Sequence, residues 1–142
     1  MTALWLVVWM LAGPLADGAL RVAEEPRRVC LDAPRALFRI QNGGEAPVLV
    51  ALSIERWSGD GDAEDWTTIQ QDVTERDATV QKARSVKVEA RGRRDVFWVL
   101  KGRKGPPLAT GRHRLVVASS TDEDGRPSSR IFHEFVITDC GQ

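Results

Sequence analysis

The most regular feature of the sequence is an alternation of apolar and polar side chains at a period of two. In the segment PVLVALSIERW (47–57), every second residue from Val48 to Ile54 is apolar. Successive side chains of a strand point to opposite faces, so this alternation predicts a strand with one buried face. The same pattern recurs in SVKVEA (85–90), GRHRLVVAS (111–119) and SRIFHEFVIT (129–138).

Three further segments are short and prone to form strands: ALFRIQ (36–41), WTTIQQ (66–71) and DVFWVLK (95–101). The last of these is apolar nearly throughout, which predicts a strand that is buried on both faces or covered by a partner. Turn-forming residues such as Asn42-Gly43-Gly44 separate the strands. About seven to eight strands at this spacing predict an all-β, antiparallel, immunoglobulin-like sandwich, with a small barrel as the alternative.

The amino-terminal segment ALWLVVWMLAGPLA (3–16) is apolar and uncharged. It is shorter than the roughly 20 residues that a membrane-spanning helix needs, and it fits the apolar core of a signal peptide. The sequence therefore predicts a signal peptide over residues 1–18 and a single domain over 19–142. An uncleaved anchor or a buried amino-terminal strand is the alternative. We expect a bacterial protein that is periplasmic or secreted, without stable membrane insertion after cleavage.

The two cysteines, Cys30 and Cys140, lie near the two ends of the predicted domain. In an exported protein they are expected to form a disulfide, with two unrelated buried thiols as the alternative. Such a bridge closes a loop of about 110 residues, for which chain entropy gives roughly 4–5 kcal/mol. The first and last strands of the domain must then be neighbours.

The formal charge is zero, with 20 basic and 20 acidic residues, so no nucleic-acid partner is expected. The charge is unevenly distributed, however. Residues 55–77 contain eight acidic and two basic side chains, and residues 82–104 contain nine basic and two acidic ones. The basic residues near the 95–101 strand could bind a phosphate, a polyanionic glycan or an acidic partner. Alternatively, they are solvated surface residues at the rim of the sandwich that bind nothing. They are Arg91, Arg93, Arg94, Lys101, Arg103 and Lys104.

No catalytic or metal-binding set can be assembled, so neither an enzyme nor a cofactor is expected. The two histidines lack a third zinc ligand, and there is no G-x-S-x-G motif. If a calcium loop began at Asp60, it would need Gly at its sixth position and Glu at its twelfth. This sequence has Asp65 and Gln71 there. Structural roles are assigned to His113 and to three core aromatics, Trp57, Trp66 and Trp98. Alternatively, Trp57 or Trp66 lines a carbohydrate-binding face.

Several segments together resemble bacterial immunoglobulin-like domains of exported proteins. They are FRIQNGGEAPVLVALSIERW, DWTTIQ and GRRDVFW, and the likeness extends from Leu37 to Ile137. The family has a Gly-x-Tyr segment near its end, and this chain has Gly111-Arg112-His113 there. The resemblance implies a fold rather than an activity. It also implies that a ring N–H of His113 could replace the tyrosine hydroxyl at a corner.

A narrower resemblance is to the amino-terminal domain of periplasmic pilus-assembly chaperones. It rests on a strand ending in Asn-Gly, a valine-rich strand ending in Arg-Trp, and an acidic loop. Such chaperones donate a strand to an incomplete partner sandwich. They also have a second domain, whereas a single domain over residues 19–142 is expected here, and they have basic anchor residues that have no evident match in this sequence.

The sequence thus favours a non-catalytic exported domain that mediates protein–protein interaction or has a structural role in the cell envelope. Its partner would be another envelope or secreted protein. One alternative is a chaperone-like or protease-inhibitor module that uses an edge strand or the 102–110 loop. Another is polyanion or glycan binding through the basic residues of 91–104.

Overall fold

The computed structural model describes residues 20–59, 65–71, 73, 85–103, 105, 107–120 and 129–141. The predicted signal peptide lies outside these residues, as do Lys104 and most of the acidic loop. No helix in the described part of the chain is long and apolar enough to cross a membrane.

The described residues form nine strands and confirm the prediction of an all-β, immunoglobulin-like sandwich. Two of the nine, β1 and β2, were not predicted from the sequence. The strands are β1 (Leu20–Val22), β2 (Arg28–Cys30), β3 (Arg35–Asn42), β4 (Val48–Trp57), β5 (Trp66–Gln71), β6 (Val86–Val88), β7 (Arg93–Val99), β8 (Gly111–Ser120) and β9 (Ser129–Thr138).

The strands are arranged in two sheets. One has three strands in the order β1-β3-β7, and the other has the order β2-β9-β8-β4-β5, with β6 also paired to β4. The prediction of a wholly antiparallel sandwich is wrong at one place, since β2 pairs with β9 in parallel. The connection between β3 and β4 is a corner between the two sheets.

The segment of residues 20–30 crosses from one sheet to the other. The N–H of Ala23 donates to the carbonyl of Arg39 at 2.9 Å, in the three-stranded sheet. Four residues later, the carbonyl of Arg27 accepts from the N–H of Val136 at 2.9 Å, in the six-stranded sheet. Between them, Pro26 has no N–H to donate to either sheet. Its carbonyl is bound by Nε2 of His133 at 2.7 Å.

The core lies between the two sheets and is built from the inward face of each strand. Phe135 of β9 joins the sheets, with its ring centre 5.4 Å from that of Phe38 and 6.1 Å from that of Trp98. All three side chains are buried, and each contributes roughly 2–3 kcal/mol through burial. The alternation in β4 predicted its inward face correctly, since every second residue from Val50 to Ile54 is buried.

One buried polar residue, Asn42, fixes the corner after β3. Its Nδ2 lies 2.9 Å from the carbonyl of Ala46 and 3.2 Å from those of Val88 and Glu89. Its Oδ1 accepts from the N–H of Gly44 at 2.9 Å. Asn42 therefore ties the β3–β4 corner to the turn that follows β6.

The 95–101 segment was predicted to be buried on both faces or covered by a partner, and the first of these alternatives is wrong. Val96 and Trp98 of β7 face the core, but Val99 is 53% exposed. Phe97 also points outward, and the guanidinium carbon of Arg35 lies 4.6 Å from its ring centre. The outward positions Phe97 and Val99 are themselves apolar, so the alternation is not visible in this part of the sequence.

The predicted disulfide between Cys30 and Cys140 is confirmed. The two Cα atoms are 5.3 Å apart, across a sequence separation of 110 residues. The bridge lies directly beyond the parallel pairing of β2 with β9, which ends at Cys30 opposite Thr138. The last strand, β9, therefore neighbours the second strand, β2, whereas the first strand, β1, pairs with β3 in the other sheet.

Removing the bridge should destabilise the domain mainly by freeing the unfolded chain. We expect the double variant Cys30→Ser/Cys140→Ser to lose about 2–5 kcal/mol of unfolding free energy. Urea unfolding of the variant beside the oxidised wild-type protein measures this difference. A variant with the wild-type midpoint and slope would show that the bridge contributes no stability.

Candidate functional site

One edge of the six-stranded sheet is only partly covered. β9 pairs with β8 along its length, but β2 covers its other side only from Val136 to Thr138. Residues of an antiparallel strand direct their N–H and C=O groups alternately to the two sides. Since the N–H of Val136 points away from β8, those of Arg130, Phe132 and Glu134 do too. No residue that the structure describes hydrogen-bonds them there.

The face of β9 that points away from the core is also partly apolar. Phe132 is 49% exposed and Val136 is 43% exposed, whereas Phe135 and Ile137 on the inner face are buried. A shallow groove beside Val136 is lined by Val22 and Arg27, among other residues. We call the stretch from Ser129 to Glu134, with the outward side chains of Phe132 and Val136, the open edge of β9.

Next to this edge, arginine and aromatic side chains interleave on the outer face of the sheet. Trp57 and Trp66 lie opposite each other on β4 and β5, with ring centres 5.1 Å apart. The guanidinium carbon of Arg114 is 4.2 Å from the ring centre of Trp66 and 4.1 Å from that of Phe132. That of Arg112 is 5.0 Å from the ring centre of Trp57. We call these five residues the arginine–aromatic cluster.

Each arginine of the cluster is also paired with a carboxylate. Arg114 donates to Glu55 at 2.6 Å, and both side chains are largely buried. Arg112 donates to Glu134 at 2.6 Å on the β9 side. The cluster therefore links β5 to β9 across two intervening strands. Cation–π contacts contribute about 0.5–1 kcal/mol at exposed positions such as Arg112, and more at the largely buried Arg114.

The prediction that Trp57, Trp66 and Trp98 are all core residues is wrong for two of them. Trp98 lies in the core at 2% exposure, but Trp57 and Trp66 lie on the outer face of the six-stranded sheet. Arginine groups occupy a face of each of these two rings. The sugar-binding alternative needs such faces to be open for stacking, so the arrangement does not favour it.

His113 is fully buried and stacks on Phe135, with ring centres 5.7 Å apart. Its Nδ1–H donates to the carbonyl of Gly111 at 2.9 Å, which is the kind of ring-to-backbone bond that the resemblance implied. Burial lowers the pKa of His113, because the charged ring loses its water, and nearby Arg56 lowers it further. His113 is therefore a neutral structural residue near neutral pH.

The structure does not bring the predicted basic residues together. Arg91, Arg93 and Arg94 lie at the start of β7, and Lys101 and Arg103 lie beyond its other end. A seven-residue strand separates these groups by about 20 Å. Two members are bound to backbone carbonyls, since Arg94 donates to Lys87 at 2.9 Å and Arg103 donates to Ile69 at 2.7 Å.

Metal-binding chemistry finds no support in the described ranges. They contain no group of three or more His, Cys, Asp or Glu side chains that could hold a metal ion. His113 is enclosed by the core, and His133 binds the carbonyl of Pro26.

No family model matches the sequence, and no curated protein matches it. Solved structures do match by fold. One is a chain of a chaperone–tip adhesion subunit pre-assembly complex from the archaic chaperone-usher Csu pili of Acinetobacter baumannii, with a TM-score of 0.57, 14% identity and 86% of this chain covered. Others are the E. coli chaperone DraB, with a TM-score of 0.53 and 11% identity over 85% of this chain, and a chain of the Salmonella enterica SafA pilin–SafB chaperone complex, with a TM-score of 0.51 and 11% identity over 86%.

This chain spans only 55–57% of the length of those three matched chains. At such low identity, the likeness shows the fold alone. The narrower of the two resemblances seen in the sequence, to pilus chaperones, agrees with these structures in fold.

The lowered pKa of His113 predicts a pH-dependent stability. The folded state binds a proton at His113 less readily than the unfolded chain does, so stability is full above about pH 6.5 and falls as the pH drops below it. The variant His113→Asn retains a donor but cannot titrate, so its unfolding free energy should vary less between pH 7 and pH 5. Urea unfolding across that range measures both slopes, and equal slopes would contradict the assignment.

Proposed function

We propose that this chain is a non-catalytic, exported binding domain that takes up an extended segment of another protein along the open edge of β9. The observation that carries the proposal is the row of outward N–H and C=O groups at Arg130, Phe132 and Glu134, which pair with no described residue. In strand addition, main-chain hydrogen bonds supply affinity, and alternate side chains supply specificity.

The side chains along the edge suit such a segment. Phe132 and Val136 present apolar surface on the same face, with the Arg112–Glu134 ion pair beside them. An added strand would place every second side chain on this face, next to Phe132 and Val136. Each new main-chain bond is worth about 0.5–1.5 kcal/mol net, so burial of these apolar groups is needed to make the complex stable.

Export is supported by the chemistry of the cysteines. The bridge between Cys30 and Cys140 is formed, and disulfides persist mainly in oxidising compartments. The apolar segment at residues 3–16 agrees with this, as a predicted signal peptide. The partner would therefore be another envelope or secreted protein.

The fold comparisons support a protein partner as well. Two of the matched structures are, by their descriptions, complexes of a chaperone with a pilus component, one with a tip adhesion subunit and one with a pilin. A sandwich of this shape thus occurs in proteins that bind another exported subunit. For this chain, the open edge of β9 is the surface that we assign to such binding.

The proposal is tested by selecting extended peptides from a displayed random library against the immobilised protein. The variant Phe132→Ser/Val136→Ser should weaken binding of the selected peptides about tenfold, because two apolar contacts are lost. Its matched control is Leu37→Ser/Val99→Ser, which removes two similarly exposed side chains from the other sheet. Equal affinities for the wild type and the first variant, or equal losses in both variants, would contradict the proposal.

A further inference from the structure

Three arginines surround a shallow hollow on the three-stranded sheet, at the end where Asn42 lies. They are Arg21 of β1, Arg91 of the turn before β7, and Arg93 of β7. The other residues that line the hollow are Gln41, Asn42, Gly43 and Gly92. None of the lining residues is acidic, so the hollow is a concentrated positive surface. We call it the arginine hollow.

The strand register places two of these arginines on either side of Gln41. Arg21 of β1 and Arg93 of β7 are each paired with Gln41 of β3. Neighbouring strands are about 4.8 Å apart, so the two backbones are about 10 Å apart. Arginine side chains on the same face can therefore converge on one group above Gln41.

Neither Arg21 nor Arg93 forms an ion pair with a described carboxylate. Asp95 lies two residues after Arg93 on β7. Its Oδ1 accepts a hydrogen bond from Nε of Arg39 of β3 at 2.8 Å. The hydrogen bond from Arg39 lowers the pKa of Asp95, and the charge of nearby Arg93 lowers it further, so the carboxylate is charged and its hydrogen bonds go to Arg39. The two arginines keep donors that an anion can use.

The third arginine is held in an unusual backbone conformation. Arg91 has a φ of 54°, in the left-handed region that residues with a Cβ rarely adopt. Its N–H donates to the carbonyl of Gly44 at 3.0 Å, which holds the turn against the β3–β4 corner. A glycine would adopt this conformation without strain, and strained backbone of this kind concentrates at functional sites. Its ion pair with Glu45, at 3.1 Å, is largely exposed and therefore weak.

We propose that the arginine hollow binds a phosphate group. Guanidinium forks donate two parallel hydrogen bonds to oxyanions of this geometry, and such charge-assisted bonds are stronger than neutral ones. The turn and the corner are fixed by Asn42, so the site is formed before the ligand arrives. The hollow lies on the other sheet from β9, so it does not depend on the proposed function.

The test is an NMR titration of the ¹⁵N-labelled protein with inorganic pyrophosphate at low ionic strength. The amide signals of Arg21, Gln41 and Arg93 should shift. The variant Arg21→Gln/Arg93→Gln should bind about tenfold more weakly, since charge-assisted hydrogen bonds are lost. The control Arg28→Gln/Arg35→Gln changes the net charge equally, away from the hollow, and should bind as the wild type does. Equal weakening in both variants, or none in the first, would overturn the proposal.

The variant Arg91→Gly separates strain from binding. Glycine adopts the left-handed conformation without strain, so the thermal midpoint of the variant should rise. Its affinity for pyrophosphate should fall severalfold, because the guanidinium group of Arg91 is lost. Wild-type affinity in this variant would overturn the assignment of Arg91. A second arm uses vesicles of phosphatidylglycerol and phosphatidylcholine in equal parts. Binding that needs Arg21 and Arg93 would identify a lipid headgroup as the source of the phosphate, and binding to pyrophosphate alone would identify a soluble one.

Discussion

The segment of residues 20–30 pairs with each sheet in turn, and the open edge of β9 follows from that constraint. It pairs with β3 through β1, then crosses at Pro26 and pairs with β9 through β2. Each pairing spans three residues. The disulfide at Cys30 then fixes where β2 lies on β9. What remains uncovered is the stretch of β9 before Val136, and this stretch is the surface that we assign to partner binding.

On the outer face of the six-stranded sheet, side chains from four strands contact one another next to the open edge of β9. The arginine–aromatic cluster joins β5 to β9 through Trp66, Arg114 and Phe132, and the Glu55–Arg114 pair anchors it. Phe132 belongs both to this cluster and to the open edge of β9. A partner strand would therefore contact a side chain that Arg114 already holds in place, so little side-chain entropy would be lost on binding.

The sequence predicted most of the fold, because the inward residues of β4, β8 and β9 recur at every second position and are mostly apolar. The same alternation, followed past Ile54, places Glu55 and Trp57 on the outer face, so the position of Trp57 could have been read correctly. Its residue type suggested the core instead. In β7, apolar residues on both faces hid the alternation, and only the pairing with β3 shows that Val99 points outward.

The candidate sites depend on contacts between residues far apart in the chain, and a single sequence carries no signal for these. Nothing local to Arg21 indicates that it lies in one row with Gln41 and Arg93. The basic residues from Arg91 to Arg103 look like one cluster in the sequence, but an extended strand holds its two ends apart. The sequence did not predict the open edge of β9, because the extent of this edge depends on where β2 begins to pair with β9.

Amide hydrogen exchange of the unbound protein, followed by NMR, tests the central claim most directly. The amides of Ile131, His133 and Phe135 pair with β8, whereas those of Arg130, Phe132 and Glu134 face the open edge. We expect slow exchange for the first three and fast exchange for the second three, with slow exchange resuming at Val136. Slow exchange at Arg130, Phe132 and Glu134 alike would show that this edge is already paired, and would contradict the account.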